Sequence, residues 1–249
     1  MPYMKESRLK IERAEMHIHD IERRIAALHQ TDTAKVEIYP EHGTERLIHT
    51  FQDPFVFDDL SLMIGDAVHN LKCALDYTWL QTIEKLVPAN VDDRAKFPVR
   101  KFIEELKGFL RKGNIDTTCK PLFDFMVNEI QPCEGGNDAI WAIHNFDNRD
   151  KHRLLLPVLA QGHIGGLEVQ DESGEKFPGF GVGDFQRPPY VIDFEKGLHV
   201  TKKGKLAAEI GVEDTKSGCF MHVPETLKVY SQTILAVVKA FEGFLQSAP

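Results

Sequence analysis

Apolar positions along this chain change period several times, and each change marks an element. Ile11, Ala14, Ile18, Ile21, Ile25 and Leu28 are spaced 3, 4, 3, 4, 3. That a/d spacing keeps one apolar stripe on one side of a helix. The seam is shorter than three heptads, so it predicts packing within the fold rather than a long coiled coil. Residues 35–39 and 47–51 read as two strands, with Pro40, His42, Gly43 and Thr44 as turn material between them. A long helix is predicted over 58–86, with Leu60, Ile64, Ala67, Val68, Leu71, Leu75 and Trp79 as its apolar face. Helices near 100–110, closed by Gly113, and near 120–130, stopped by Pro132, follow. The run Gly135-Gly136-Asn137-Asp138 breaks the chain and offers N-cap residues to a helix carrying Trp141, Ile143 and His144.

After Arg153 the period shortens. Residues 154–160, 166–170, 190–194, 198–203 and 205–212 read as short strands, Gly and Pro punctuate 162–189 densely, and Lys203-Gly204 reads as a hairpin turn. Pro224 then opens a last helix whose stripe is Leu227, Tyr230, Ile234, Val237, Phe241 and Phe244. Helices and strands are grouped rather than alternating, which predicts an α+β fold. Its helical bundle core covers 1–30, 55–153 and 223–247, and its antiparallel β-rich part covers 34–52 and 154–212. The reading is of a single domain over 1–249, in which the early hairpin joins the β-rich part in one sheet. The two terminal stripes are expected to pack on each other, and they also suit a homodimer.

Charge and composition narrow the classes. The formal net charge is -8, from 30 basic and 38 acidic residues, which disfavours broad non-specific nucleic-acid binding but leaves room for a local basic cleft. The four cysteines, Cys73, Cys119, Cys133 and Cys219, form no CxxC pair. With a charged N-terminus and no long apolar run, a reduced cytoplasmic protein with no membrane association is expected. No HExxH or repeated ExxH occurs, so neither metal nor other cofactor is expected.

Two polar stretches carry the candidate chemistry. At about 100° per residue, Asp66, His69, Asn70, Cys73, Asp76 and Tyr77 fall within about a third of the circumference of the long helix. A solvated face would hold Glu, Lys, Gln and Arg; these residues are poorer helix formers, so this face is expected to be shielded from bulk water. It is then either a hydrogen-bonded structural network or a site wall, with His69 as acid/base and a carboxylate fixing its tautomer. Cys73, flanked by Ala74 and Leu75, reads as inert. The second stretch is His144-Asn145-Phe146-Asp147-Asn148-Arg149-Asp150-Lys151-His152-Arg153. Basic residues at a helix C-terminus are favoured by the macrodipole alone. His144, Asn148 and His152, at four-residue intervals, are not explained that way. The two stretches are expected to converge, with Asp66 or Asp76 pairing with Lys151 or Arg153, or orienting His152. His152, His69, Asp66 and Asp76 would then be the catalytic set, and Asn70, Asn148, Arg149, Asp150, Lys151 and Arg153 would hold a phosphate-bearing ligand, RNA or a nucleotide.

These stretches resemble a family of uncharacterised bacterial proteins. Residues 65–76, GDAVHNLKCALD, are similar to that family's GDxLHNLRSALDHL helix. Gln131-Pro132 with Gly135-Gly136, and the NRDKHR run at 148–153, resemble its QPY…GG and NxDKHR segments, over roughly 55–157 in all. The family brings no established activity. A wider resemblance is to HEPN-like helical domains, many of which are metal-independent ribonucleases with an Arg-x(4–6)-His motif. Lys72 and Tyr77 stand where that motif would place its Arg and His. The resemblance therefore implies a metal-independent phosphodiester hydrolase only in outline. The rival is a non-catalytic interaction or regulatory protein whose polar motifs fix the fold.

Overall fold

The computed structural model describes residues 4–28, 34–39, 42–49, 56–88, 96–153, 158–183, 190–213 and 220–247. Within these ranges some side chains, including those at 150–153, lie outside the description. The element order is α1 (Lys5–Leu28), β1 (Ala34–Tyr39), β2 (Thr44–His49), α2 (Val56–Leu86), α3 (Ile103–Lys112), α4 (Ile115–Thr118), α5 (Lys120–Phe125), a π-helical turn (Met126–Ile130), α6 (Asp138–Arg153), β3 (Val158–Gln170), β4 (Lys176–Gly183), β5 (Tyr190–Asp193), β6 (His199–Glu213), β7 (Phe220–His222) and α7 (Val223–Ser247). The fold is α+β, with antiparallel sheets. Where the sequence reads as a single domain, the backbone forms two compact units. One comprises Met1–Asp20, Leu62–Leu156 and Pro224–Pro249, the other Ile21–Ser61 and Pro157–Val223. They follow the helical and β-rich parts read from the sequence to within several residues, except that the second unit also takes the end of α1 and the start of α2.

The first unit is helical, and its centre is the apolar face of α2. Ile64, Ala67, Val68, Leu71 and Leu75 are at most 1% exposed and Trp79 is 3% exposed. Each of the Ile, Val and Leu side chains contributes roughly 1.5–3 kcal/mol by leaving water. Ile11, Ala14 and Ile18 of α1 and Leu227, Ile234, Val237 and Phe241 of α7 are also buried. The two terminal helices meet through polar side chains. Arg8 pairs with Glu242, and Ser231 donates to Glu15 at 3.1 Å. An aromatic chain runs Trp79–Phe97–Phe241–Phe125–Phe244, ending in a stacked pair 4.6 Å apart.

The QP…GG segment has a specific backbone function here. The helix that α5 begins ends in a π turn, with Gln131 N–H donating to the Met126 carbonyl at 3.0 Å. Gln131 itself is left-handed, at φ 47°. Its carbonyl accepts the N–H groups of Cys133, at 2.7 Å, and Asn137, at 2.8 Å. A Cβ on Gly136 would lie 2.4 Å from that carbonyl, so glycine is required. Asn137 then caps α6, its Oδ1 accepting the Ile140 N–H at 3.1 Å. The motif thus sets where α6 starts and which side chains α6 presents.

The second unit holds two sheets, ordered β1-β2-β5 and β4-β3-β6-β7. The early hairpin pairs with β5 of the β-rich part, but in a sheet separate from that of β3, β4, β6 and β7 rather than in the single sheet expected, and β2 begins at Thr44, within the anticipated turn. Glu45 couples hairpin to sheet, accepting the Val200 N–H at 2.6 Å and lying 3.1 Å from His199 Nδ1. Leu47, Ile164 and Leu167 form a small core. The expected turn at Lys203-Gly204 does not form. β6 is continuous, and its pairing with β3 keeps the same register on either side of Gly204, at Lys205↔Gly165 and Lys203↔Leu167. Gly166 and Gly204 both adopt positive φ, 70° and 69°. A Cβ on Gly204 would lie 2.8 Å from the Gly165 carbonyl. Glycine here permits close approach of two paired strands rather than a reversal. β4 and β7 form where no strand is expected: Gly and Pro interrupt the apolar residues of β4, and β7 is only three residues long. The expected strand at 154–157 lies outside the described residues. Among the described residues, no helix is long and apolar enough to cross a membrane.

Candidate active site

The polar face of α2 divides in two, which corrects the expectation of a face shielded as a whole. Asn70 and Lys72 are buried, at 8% and 4% exposure. Asp66, His69 and Tyr77 are exposed, and Cys73 and Asp76 are intermediate. The division follows from neighbours. Asn70 Oδ1 accepts from Lys10 of α1 at 3.2 Å, and its amide donates back to the Asp66 carbonyl at 2.8 Å. Lys72 pairs with Asp76 one turn on, and the same Asp76 oxygen accepts the Phe97 N–H at 2.8 Å. These three side chains tie α2 to α1 and to the Phe97 segment. Asp76, expected to pair with Lys151 or Arg153 or to orient His152, pairs with Lys72, and the side chains of 151–153 lie outside the described residues.

The outer half is different. His69 Nδ1 lies 2.9 Å from Asp147 Oδ1 on α6. The Asp147 side chain is 3% exposed and that of His69 is 46% exposed. An ionised carboxylate accepts only, so Nδ1 carries the proton and Nε2 presents its lone pair. Cys73 Sγ lies 3.4 Å from that Nε2, one turn along the helix, and the thiol is the donor. The two polar stretches therefore converge, through His69 and Asp147, a carboxylate that the sequence reading quoted without a role. Cys73, read as inert, belongs to the same line of contacts. A His and a Cys at i, i+4 was the available signal.

Around this line lie cations and a second histidine. Asn148 Nδ2 donates to His144 Nε2 at 3.0 Å. That leaves the proton of His144 on Nδ1, which is buried and has no hydrogen-bond partner among the described residues. Burial, helped by the charges of Lys72 and Arg100 and opposed by Asp147 and Asp76, holds His144 below the usual histidine range. Arg100 donates to the Val99 carbonyl at 2.7 Å and lies over the Phe109 ring at 4.1 Å. Arg149 is partly buried. The backbone of Asp150, Lys151, His152 and Arg153 completes α6, but their side chains lie outside the described residues. Among the described residues, no group of three or more His, Cys, Asp or Glu side chains is placed to hold a metal ion.

Comparison with known proteins adds no assignment: no protein-family model, no curated protein and no solved structure matches this chain.

Proposed function

We propose that the helical unit carries an acid–base site for a phosphate-bearing ligand, RNA or a nucleotide, and that it cleaves that ligand without metal. The observation that carries this reading is the His69–Asp147 pair, 2.9 Å apart, with the carboxylate buried and the imidazole open to solvent. A buried carboxylate on Nδ1 fixes the tautomer and steadies the imidazolium formed when Nε2 takes a proton. In the proposed mechanism His69 takes the proton of the attacking hydroxyl or water and returns it to the leaving oxygen. The nearby cations support an anionic ligand. The charge of Arg100 reaches His144, one turn from Asn148 on the helix that bears Asp147, whereas Lys72 is taken up by Asp76. Arg149 and the DKHR run, with His152 as a second proton carrier, complete the proposed set. The likeness to HEPN-like domains supports the RNA class, but the proton chemistry is assigned to His69 because Lys72 and Tyr77 replace the motif residues.

The rival reading, a purely structural network, is favoured for one half of the face. Asn70, Lys72 and Asp76 are used in packing α2; for that reason Asp76 leaves the catalytic set and Asn70 the ligand-holding set. The two halves separate experimentally. Turnover of a panel of nucleotides and single-stranded RNAs is measured for wild type, His69→Ala and His152→Ala, with melting temperature in parallel. The proposal expects a folded His69→Ala protein with turnover lowered by roughly 10²–10⁴-fold. Wild-type protein inactive on the whole panel, or a His69→Ala variant as active as wild type, refutes it.

A further inference from the structure

We propose that Cys73 is a reactive thiol, activated by His69 and Asp147, and that it is a site of reversible modification by low-molecular-weight disulfides. The arrangement is nucleophile, base and orienting carboxylate in sequence. Cys73 Sγ is 3.4 Å from His69 Nε2, and His69 Nδ1 is 2.9 Å from Asp147. Thiol exchange requires a thiolate and access to it. The imidazole supplies the first by taking the thiol proton, and the buried Asp147 charge holds the resulting imidazolium. Partial exposure of Cys73 beside an exposed His69 supplies the second. The other described cysteines lack this combination. Cys133 is buried, and burial pushes its thiol up. Cys119 is partly exposed, and no histidine stands beside it among the hydrogen bonds of the described residues.

The step balances. His69 Nε2 accepts the thiol proton, and the thiolate attacks one sulfur of a disulfide R–S–S–R. The S–S bond of that disulfide breaks and a Cys73–S–S–R bond forms. The leaving thiolate takes the proton from the His69 imidazolium and departs as R–SH. Cys73 is thereby oxidised to the disulfide level, and one half of the small disulfide is reduced to thiol. This inference goes beyond the acid–base reading and does not depend on its ligand.

The test uses the full chain with glutathione disulfide at neutral pH, with mass spectrometry following adduct formation at each cysteine peptide. Cys73 is expected to react about tenfold faster than Cys119, the gain from a neighbouring base. His69→Ala, a change at an exposed position, and His69→Gln should each bring Cys73 to the rate of Cys119. Circular dichroism confirms that both variants remain folded. Asp147→Asn should lower the rate in the same direction. Reaction of Cys73 no faster than Cys119 in wild type, or an unchanged rate in both folded His69 variants, overturns the proposal. Nucleotide turnover is not read here, so this test and that of the acid–base site can fail independently.

Discussion

An imidazole that moves protons needs one nitrogen held and the other presented, and His69 is the described histidine whose ring lies between a buried carboxylate and a partly exposed thiol. His144 is its opposite. It is partly buried, its Nε2 accepts from Asn148, and it is held below the ordinary histidine value of 6.5. This sign sets a pH dependence. The unfolded chain protonates His144 more readily than the folded chain, so this residue's contribution is complete above about pH 6.5 and is lost as pH falls from there through the lower folded-state value. Urea midpoints of wild type should fall over that acid range, and His144→Gln should flatten that part of the profile; an unchanged slope would contradict the assignment. At this scale the sequence was partly legible. His69 stood out because it occupies a helix face that solvent alone would not select. Asp147 did not, because its partner lies 78 positions away in the chain and no local pattern encodes that contact.

Elements show why the polar face divides. A helix packed on two sides must satisfy polar groups on its inner flank, and Lys72 does so by pairing with Asp76. Asp76→Ala removes that partner from a cation whose side chain is 5% exposed, and also the acceptor of the Phe97 N–H. Loss of about 3 kcal/mol is expected from chemical denaturation. Lys72→Met, which removes the charge and keeps the stem, should cost less. Backbone constraints act at the same scale. Gly136→Ala should destabilise the folded chain and shift the start of α6, because its Cβ meets the Gln131 carbonyl at 2.4 Å. A variant with wild-type unfolding would refute the close approach. α2 and α7 were readable because long apolar periods leave little choice, and α6 because N-cap residues follow a glycine break. The Lys203-Gly204 turn was misread because a glycine that permits strand crossing has the same local signature as one that reverses the chain.

For the whole molecule, the grouped order of helices and strands was sufficient for the α+β class, since grouped elements segregate into helical and sheet layers. The division into two compact units was not visible as a linker, because each unit is assembled from separated stretches of sequence. The N-terminal seam and the C-terminal stripe gave the clearest long-range expectation. In the helical unit the two helices are joined by Arg8–Glu242 and Glu15–Ser231, polar pairs outside both stripes. Phe241 is fully buried there, in edge contact with Phe97 and Phe125. Phe241→Ala should therefore cost about 3–5 kcal/mol in equilibrium unfolding. A loss well under 1 kcal/mol would mean that this aromatic chain is not the unit's core.

The central claim is that His69 and Asp147 work as one device on a phosphate-bearing ligand. A double-mutant cycle on turnover tests it most directly, with His69→Ala, Asp147→Asn and the double variant compared on the best ligand of the panel. If the carboxylate acts only through the imidazole, the double variant should be no slower than His69→Ala alone, because groups acting as a unit are not additive. Losses that multiply, with all three variants folded, would contradict the account.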